Sequence, residues 1–210
     1  MGVRILPVDP GDQMSDAVSA AVDVLHAGGL LVAPTETRYG LLARADDRMP
    51  VERLVHAKRR SPAKPVSVFV AAAGRIPIYG RMSPAAKRLA EIFLPGPLTL
   101  VLPAVGKWHP VIAPEHKIGI RVSSSPLVLG IMNRVDYLVT ATSANISGDE
   151  ENERIDQIVE SFGEDVDLYL DGGPLTGLPS TVVDCSVDPP RILREGAIDP
   201  LAIERATRGE

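Results

Sequence analysis

Four segments of the chain place cationic, hydroxyl or amide side chains beside short apolar stretches. They are Pro34-Thr35-Glu36-Thr37-Arg38-Tyr39-Gly40-Leu41, Lys58-Arg59-Arg60, Ser143-Ala144-Asn145 and Leu193-Arg194-Glu195-Gly196. In α/β proteins, ligands bind where the chain turns out of the sheet, and such groups are typical of those places. Core packing alone does not require them. Because cations recur among them, the segments predict a site for an anionic substrate.

Side-chain cations are the candidate phosphate ligands. The sequence has neither a P-loop ending in Gly-Lys-Ser or Gly-Lys-Thr nor a dinucleotide glycine fingerprint after a strand. Four cations lie within seven residues: Lys58, Arg59, Arg60 and Lys64. If residues 51–58 form a helix, the same cations stand at its carboxyl end, where they would stabilise the helix dipole. The residues alone leave both interpretations open.

Three further positions each have a functional and a purely structural interpretation. Arg121 interrupts the strand pattern of residues 118–122 and either faces solvent or pairs with an anion. Ser143 and Asn145 either contact a ligand or form an ordinary turn, which both residue types favour. Arg194 either contacts a ligand or forms a surface ion pair, which would contribute only about 0–1 kcal/mol. None of these positions decides the function alone.

The composition is that of an ordinary globular chain. Of the 210 residues, 45% are hydrophobic and 23% charged, and the formal net charge is −5. An acidic chain does not bind nucleic acid by bulk electrostatics, so a cationic patch must be local. The single cysteine, Cys185, is predicted to be a buried thiol, and the histidines lack metal-ligand spacing, so we expect no metal site. We also expect no membrane span or signal segment and a cytoplasmic location.

Hydrophobic periodicity predicts alternating strands and helices. The predicted helices are residues 12–25, 51–58, 84–93, 126–133 and 154–162. The predicted strands are residues 3–8, 30–33, 65–70, 98–102, 118–122, 137–141, 167–170, 181–184 and 191–193. Ser83 followed by Pro84 is a good helix start, and Gly28-Gly29 ends the first helix. Several strand pairs are too close in sequence for a crossover helix, which indicates some antiparallel pairing.

These elements predict an α/β fold with a twisted mixed sheet flanked by helices. The length suits one domain, and we expect residues 1–210 to form a single domain with a core of about residues 10–200. Residues 171–179 are rich in Gly and Pro and predict a mobile loop near the site.

The chain resembles the YrdC-like family of threonylcarbamoyl-adenylate synthases along almost its entire length. The resemblance rests on the Pro34 and Lys58 segments together with Lys64-Pro65, Pro95-Gly96-Pro97-Leu98-Thr99, Gly119-Ile120-Arg121-Val122, Ser143-Ala144-Asn145-Ile146-Ser147-Gly148, Ser180-Thr181-Val182-Val183-Asp184 and Leu193-Arg194-Glu195-Gly196-Ala197-Ile198. This ordered set is specific for the fold. It implies the YrdC α/β fold in its single-domain form.

The resemblance also implies a reaction. L-Threonine and bicarbonate form a carbamate, which attacks the α-phosphorus of ATP and gives threonylcarbamoyl-AMP and pyrophosphate. The product passes to tRNA-modifying enzymes, which make N6-threonylcarbamoyladenosine at tRNA position 37. ATP is a substrate in this reaction, and Mg²⁺ is expected to come with the nucleotide. Fixed cations and Mg²⁺ can stabilise the charge that develops at phosphorus without a covalent enzyme intermediate.

The resemblance assigns residues to two ends of a site. The residues implied to bind ATP are Lys58, Arg60, Lys64, Ser143, Asn145 and Arg194. Four of these are implied to be catalytic as well: Lys58, Arg60, Ser143 and Asn145. Thr35 and Arg121 would hold threonine, and the fork of the arginine guanidinium matches the amino acid carboxylate.

The chain departs from the family's pattern beside the site. Arg38 replaces a small apolar residue, Phe69 replaces a polar residue that helps to hold threonine in longer relatives, and Lys117 replaces a threonine near the nucleotide. Residues 149–154 form an acidic run, which we interpret as a solvated loop and helix start. Two alternatives stay open: a diverged paralogue that uses another amino acid or carbamoyl donor, and a ribosome-maturation module that binds double-stranded RNA. An aromatic content of 4% and the acidic charge disfavour direct RNA binding.

Overall fold

The structure is a computed structural model that describes residues 2–8, 12–59, 64–149 and 152–209. The strands are β1 (Ile5–Pro7), β2 (Leu31–Pro34), β3 (Tyr39–Leu42), β4 (Ser67–Phe69), β5 (Leu98–Pro103), β6 (Lys117–Arg121), β7 (Val139–Ser143), β8 (Leu168–Asp171), β9 (Thr181–Asp184) and β10 (Arg191–Arg194). The helices are α1 (Asp12–His26), α2 (Arg48–Ala57), α3 (Ile76–Tyr79), α4 (Pro84–Phe93), α5 (Pro126–Met132), α6 (Ile155–Phe162) and α7 (Pro200–Arg208). Among these described helices, none has the length and apolar character needed to cross a bilayer.

The ten strands of the described residues form one sheet in the order β1-β8-β2-β3-β7-β4-β6-β5-β9-β10. β8 is parallel to both β1 and β2, and the pairs β4–β6 and β5–β9 are parallel as well. The other neighbours are antiparallel. The turn of residues 35–38 between β2 and β3 is too short for a crossover helix, which enforces antiparallel pairing there. The predicted α/β fold with a mixed, helix-flanked sheet is confirmed.

The two faces of the sheet are covered by different helices, because successive residues of a strand point to opposite faces. On one face, α2, α4, α6 and α7 pack against side chains such as Val32, Val68 and Leu100. On the other face, α1 and α5 pack against alternate positions such as Leu31 and Leu42. Burial of a side chain of this size contributes about 1.5–3 kcal/mol. The two apolar clusters therefore fix which face each strand residue presents.

Helices α1 and α5 cover only part of their face. Both contact β2, and α1 also contacts β1 and β8. They therefore lie over the β1-β8-β2 end of the sheet. On the same face, side chains of β4, β5, β6 and β9 border an open cavity.

Capping residues determine where helices begin. Ser83 Oγ accepts a hydrogen bond from the Ala86 N–H at 3.2 Å, as predicted for the start of α4. Asp47 Oδ1 accepts a hydrogen bond from the Met49 N–H at 3.0 Å. Helix α2 consequently begins at Arg48, one turn before the start that hydrophobic periodicity predicts.

Three observed elements, β3, α3 and α7, are not among those that hydrophobic periodicity predicts. Helix α7 follows Asp199, whose side chain accepts a hydrogen bond from the first helical turn at 2.9 Å, and it starts with Pro200. Its buried residues Ile203 and Ala206 lie on the helix that packs against α4. Asp followed by Pro is a helix-start signal, so the rule that predicts α4 would also have predicted α7.

Candidate active site

An open cavity of about 580 Å³ lies on the part of the sheet that α1 and α5 leave uncovered. Its floor consists of alternate residues on neighbouring strands: Gly40 on β3, Ala141 and Ser143 on β7, Ser67 and Phe69 on β4, Gly119 and Arg121 on β6, Thr99 and Val101 on β5, and Val182 and Asp184 on β9. Its walls are formed by connections, which include the 35–38 turn and residues 64–65, 114–115 and 179–180, and by Leu193 and Arg194 of β10. Sites for small molecules typically measure about 300–1,000 Å³. The cavity is therefore large enough for a nucleotide-sized ligand.

Small residues give the floor its depth. A Cβ atom on Gly119 would lie 2.5 Å from Ser67 Oγ on the neighbouring strand, so a larger residue does not fit there. Ala141 lies opposite Ser67 on β7. Two residues further along β4, Phe69 lies in register with Arg121 on β6 and Val139 on β7. These side chains are larger, so the cavity is shallower at this end.

The Thr35 hydroxyl group organises the turn between β2 and β3. It donates to the Arg38 carbonyl at 2.7 Å, accepts from the Thr37 N–H at 3.1 Å and lies 3.0 Å from Thr37 Oγ1. The Thr35 N–H also donates to the Arg38 carbonyl, at 3.2 Å, which continues the antiparallel pairing of β2 with β3 by one residue pair. Thr35, a predicted threonine-binding residue, therefore lines the cavity with its hydroxyl group engaged in the turn.

Arg121 lines the cavity with its guanidinium group held by three neighbours. Nη2 donates to Thr37 Oγ1 at 2.9 Å and lies 2.9 Å from Glu36 Oε1, and the guanidinium carbon lies 5.7 Å from the centre of the Phe69 ring. The residue is 7% exposed, so the solvent-facing interpretation of Arg121 is wrong. Its buried Nε donates to no atom of the described residues. Leaving such a donor unsatisfied costs about 1–3 kcal/mol, so this position suits a ligand acceptor.

Glu36 is a site residue for which the sequence gives no direct signal. Its Oε2 accepts a hydrogen bond from Ser123 Oγ, and its Oε1 faces Arg121. Burial opposes ionisation of this carboxyl group. The charge of Arg121 and the Ser123 hydrogen bond outweigh burial, so the pKa of Glu36 lies below its usual value. The carboxylate is therefore ionised at neutral pH and compensates the charge of Arg121.

The Ser143-Ala144-Asn145 segment forms a turn whose side chains bond to one another and to the backbone. Ser143 Oγ donates to Asn145 Oδ1 at 2.6 Å. Asn145 Nδ2 donates to the carbonyl groups of Ile146 and Asp149 at 3.0 and 2.9 Å. Ser143 lines the cavity, whereas the buried Asn145 is not among the lining residues. Of the two predicted ligands, only Ser143 reaches the cavity surface directly in this arrangement.

Lys58 supports this turn. The residue is 1% exposed, and its Nζ donates to the carbonyl groups of Ser143 and Asn145, the latter at 2.8 Å. The Ser147 N–H donates to the Lys58 carbonyl at 2.9 Å. Lys58 is not among the residues that line the cavity. Lys58 is the C-cap residue of α2, as the helix-end interpretation expects, but its ammonium group is buried against the 143–145 turn and is not solvated.

Lys64 and Arg194, two of the predicted phosphate ligands, line the cavity. Arg194 Nε and Nη2 donate to the Ser180 carbonyl at 3.0 and 2.8 Å, and Nη2 donates to Ser180 Oγ at 2.9 Å. Ser180 Oγ lies 3.1 Å from Thr99 Oγ1 on the floor. Arg60, the remaining predicted phosphate ligand, lies outside the described residues.

An ion pair lies at the β9 end of the floor. Lys117 Nζ is 3.3 Å from Asp184 Oδ2, and both residues line the cavity. Asp184 Oδ1 accepts hydrogen bonds from the N–H and the hydroxyl of Ser186 at 2.8 and 2.5 Å. Burial opposes ionisation, but these hydrogen bonds and Lys117 outweigh it and hold the pKa of Asp184 below its usual value. This end therefore presents an ammonium group and a carboxylate whose charges compensate each other.

Arg38 and Phe69, like Lys117, are positions at which the chain departs from the family's pattern, and all three line the cavity. Arg38 Nη1 donates to Glu153 Oε1 at 3.2 Å and to the Leu175 carbonyl at 3.3 Å. Phe69 packs with the cluster of α1 and α5. The acidic run of residues 149–154 does precede a helix, α6, as predicted. Glu153, which belongs to this run, pairs with Arg38. The interpretation of the run as a solvated loop does not predict this ion pair.

A comparison with family models assigns the chain to a family. The model named Sua5_yciO_yrdC, described as "Telomere recombination", matches residues 23–196. This match covers most of the chain, so the chain belongs to that family. The resemblance predicted from the ordered motifs is confirmed.

Two curated relatives have names that state the same activity. The threonylcarbamoyl-AMP synthase of Pyrococcus abyssi is 32% identical over 191 residues, which cover 90% of this chain and 56% of that protein. A putative threonylcarbamoyl-AMP synthase of Methanocaldococcus jannaschii is 33% identical over 174 residues, which cover 81% of each protein. This chain therefore spans about half of the first relative and most of the second.

A solved structure of a relative shares the fold. Pyrococcus abyssi Sua5 complexed with L-threonine has a TM-score of 0.89 to this chain at 31% identity. The match covers 96% of this chain and 60% of that one. Nearly all of this chain therefore shares its fold with about three fifths of Sua5.

Proposed function

We propose that the chain is an L-threonylcarbamoyladenylate synthase, which forms threonylcarbamoyl-AMP and pyrophosphate from L-threonine, bicarbonate and ATP. The observation that carries this proposal is the buried Arg121 guanidinium group beside the 35–38 turn, in a cavity that Lys64, Ser143 and Arg194 also line. An arginine fork suits an amino acid carboxylate, and cations with hydroxyl groups suit phosphates. The names of the relatives and the threonine complex of Sua5 support the same chemistry.

The proposed reaction has two bond-forming steps. The free amine of threonine attacks the carbon of bicarbonate, and loss of water leaves a carbamate. A carbamate oxygen then attacks the α-phosphorus of ATP. The bond from that phosphorus to the oxygen bridging to the β-phosphate breaks, and pyrophosphate leaves with the electron pair. Because two anions must approach each other, catalysis depends on positioning and fixed positive charge.

The amino acid would bind at Arg121. Its carboxylate would accept hydrogen bonds from the guanidinium group, including the Nε donor that no described residue uses. Glu36 and Thr37 hold the guanidinium group before the amino acid arrives, so little ordering is needed on binding. Thr35 would form the neighbouring wall. Phe69 offers an apolar surface that suits the methyl group of threonine.

ATP would bind along the cationic side of the cavity. Lys64 and Arg194 would contact phosphate oxygens, and both are cavity-lining side chains. The Ser143 hydroxyl group can rotate from its present acceptor to a phosphate oxygen. Charge-assisted contacts of this kind are shorter and stronger than neutral ones. They would orient the α-phosphorus towards the carbamate.

Lys58, Asn145 and Arg60 complete the proposed ATP-binding set. Lys58 and Asn145 fix the shape of the 143–145 turn through their hydrogen bonds, so they would act on ATP at least through that turn. Direct contact of either residue with ATP stays a prediction. The assignment of Arg60 as a phosphate ligand rests on the sequence motif.

ATP would bring Mg²⁺ with it, bound to its phosphate oxygens. Bound in this way, the ion would neutralise charge on the phosphates. Within residues 2–8, 12–59, 64–149 and 152–209, no group of three or more His, Cys, Asp or Glu side chains is arranged to hold a metal. Lys64 and Arg194 would complement the remaining charge of the nucleotide.

The product would pass to enzymes that modify adenosine 37 of tRNA, and we propose that the synthesis takes place in the cytoplasm. Threonylcarbamoyl-AMP is a mixed anhydride, which water hydrolyses, so its consumer must act promptly. Cys185 is buried and carries a free thiol, which suits a reducing compartment. The synthesis itself needs no contact with RNA.

Pyrophosphate release by the purified chain tests the proposed function. The mixtures contain ATP, Mg²⁺ and bicarbonate, with and without L-threonine, and mass spectrometry detects threonylcarbamoyl-AMP in them. We expect product only when threonine and bicarbonate are both present. Folded protein that binds ATP but forms no threonine-dependent product would refute the proposal. Product from another amino acid would identify the diverged paralogue instead.

Arg121→Ala tests the amino acid end. Loss of a charge-assisted contact costs about 1.5–3 kcal/mol, so threonine affinity should fall by about one to two orders of magnitude. Arg134→Ala is the matched control, because Arg134 is exposed and donates to Ser19 Oγ at 2.8 Å. Wild-type affinity in Arg121→Ala would contradict the assignment. The same assay with ATP and Arg60→Ala tests the phosphate role of Arg60.

A further inference from the structure

Residues 172–180 connect β8 to β9 without regular secondary structure, where the sequence predicts a loop near the site. We call them the cover segment. Pro179 and Ser180, at its end, line the cavity. The cover segment is thus part of the cavity wall, and its position depends on what holds it.

Tyr39 holds the first residues of the cover segment. Its hydroxyl group donates to the Gly173 carbonyl at 2.7 Å and accepts from the Gly172 N–H at 3.0 Å. Burial raises the pKa of Tyr39 to about 12, so the hydroxyl group keeps its proton at neutral pH. Further along, a Cβ atom on Gly177 would lie 3.1 Å from the Thr37 carbonyl oxygen. The cover segment therefore lies directly against the 35–38 turn.

Arg38 joins the middle of the cover segment to Glu153, two residues before α6. Its Nη1 donates to the Leu175 carbonyl at 3.3 Å and to Glu153 Oε1 at 3.2 Å. The Leu175 N–H in turn donates to the Glu153 carbonyl at 2.9 Å. The Arg38 side chain is 19% exposed and the Glu153 side chain 46% exposed, so solvent screens the ion pair in part, mostly from the side of the carboxylate. Three separate parts of the chain meet at this pair.

We propose that the Arg38–Glu153 ion pair is a positioning device that holds the cover segment against the 35–38 turn and thereby sets the affinity for the amino acid. The inference rests on the proposed function, because it takes the amino acid to bind at Arg121. Thr37 lies in the turn and accepts a hydrogen bond from Arg121 Nη2 at 2.9 Å. A displaced turn would therefore remove a partner that orients the guanidinium group.

The amino acid should be affected more than ATP. The far end of the cover segment has separate anchors, because Arg194 Nη2 donates to the Ser180 carbonyl at 2.8 Å and Ser180 Oγ lies 3.1 Å from Thr99 Oγ1. These contacts lie at the side of the cavity where we propose that phosphates bind. Loss of the ion pair leaves them in place and loosens the part of the cover segment beside the turn.

Glu153→Gln is the most direct test, because Glu153 does not line the cavity and can reach the amino acid only through its contacts. We expect the Kd for L-threonine, measured by calorimetry, to rise about fivefold, equivalent to about 1 kcal/mol. The Kd for ATP should change by less than about twofold, because the anchors of Ser180 remain. Arg38→Gln should have a similar effect, and the double variant should add little, because the two residues act as a unit. Additive effects would overturn the inference.

Hydrogen exchange of residues 172–178 without ligand gives a readout that does not depend on turnover. Exchange should be faster in Glu153→Gln than in the wild-type protein. Asp156→Asn is the matched control, because Asp156 forms an exposed ion pair with Arg154 at 3.0 Å close by in the chain, and it should leave this exchange unchanged. Unchanged exchange in Glu153→Gln would overturn the inference. If the wild-type protein bound no threonine, the proposed function would fail, and exchange alone would decide whether the ion pair holds the segment.

Discussion

Glu36→Gln would test whether the Glu36 carboxylate compensates the charge of the Arg121 guanidinium group at the place where we propose that an anionic ligand binds. The substitution preserves the size of the side chain and an acceptor for the Ser123 hydroxyl, but it removes the negative charge that lies 2.9 Å from Arg121 Nη2. The Arg121 side chain is 8% exposed, so water cannot fully replace the carboxylate. The variant therefore contains a buried cation without its counter-charge.

The expected loss of stability follows from this burial. Removing one partner of a fully buried ion pair costs about 3–5 kcal/mol. The Glu36 side chain is 15% exposed and glutamine can keep the Ser123 hydrogen bond, so we expect the free energy of unfolding to fall by about 2–4 kcal/mol. In a chain of this length, 1 kcal/mol changes Tm by about 2–4 °C, so Tm should fall by about 5–15 °C.

Threonine should reverse part of this loss if its carboxylate binds Arg121. A ligand that binds only the native state stabilises it by about 2.7 kcal/mol at a hundred times its Kd. In Glu36→Gln the carboxylate would also supply the missing counter-charge. L-Threonine should therefore raise Tm more in Glu36→Gln than in the wild-type protein, and thermal unfolding with and without threonine measures both values.

The pH dependence of stability gives a second test of the Glu36 charge. The pKa of folded Glu36 is lowered from the ordinary value of 4.5, so its ionised form stabilises the native state above that pH. This stabilisation is lost as the pH falls through the folded pKa. The difference in unfolding free energy between the wild-type protein and Glu36→Gln should thus be constant near neutral pH and shrink once the pH falls below 4.5.

Glu52→Gln is the control for the loss of a carboxylate. Glu52 pairs with the exposed Arg48 at 2.7 Å on α2, so the control should leave Tm essentially unchanged. Unchanged stability in Glu36→Gln would refute the claim that the carboxylate compensates a buried cation. Equal stabilisation of the wild-type protein and Glu36→Gln by threonine would refute the proposed contact between its carboxylate and Arg121.

Three further experiments address separate features. Cys185 is buried and burial raises the pKa of its thiol to about 12, so iodoacetamide should label it only after unfolding, and mass spectrometry of native protein should detect no adduct. Gly196→Ala would place a Cβ atom 2.3 Å from the Pro179 carbonyl oxygen. It should lower the free energy of unfolding by about 2 kcal/mol or more, and an unchanged urea midpoint would contradict this. Lys58→Met removes a buried donor to the carbonyl groups of the 143–145 turn. It should abolish product formation and lower the free energy of unfolding by about 1–3 kcal/mol, because buried acceptors are left unsatisfied. Wild-type turnover would show that catalysis does not need this donor.

The elements that periodicity predicts are those whose apolar pattern is clear along the chain. β9 is observed at its predicted bounds, Thr181–Asp184. β3 is different, because all four of its residues are buried between β2 and β7 and the segment shows no alternation. The order of strands in the sheet depends on contacts between distant segments, which one sequence does not reveal.

The sequence predicts which residue types form the candidate site better than it predicts what each of them contacts. Lys58 is the last residue of a predicted helix and has the pattern of a solvated cation, yet it is buried because residues 143–147 fold against the end of α2. The partner of Arg121 is equally hidden, since Glu36 meets Arg121, and Ser123 meets Glu36, only when β2, β3 and β6 are assembled. Motifs give the chemical groups of a site, whereas tertiary contacts decide their partners.

The cavity is richer in cationic side chains than the chain as a whole. The described lining residues include five Lys or Arg and two Asp or Glu side chains, although the net charge of the chain is −5. Arg38 pairs with Glu153, Lys117 with Asp184, and Arg121 with Glu36. A bound carboxylate or phosphate must compete with these partners, so affinity depends on geometry more than on bulk attraction. Cations recessed in a cavity of about 580 Å³ are placed for small ligands, so threonine binding should depend weakly on salt, whereas RNA binding would weaken steeply as salt rises.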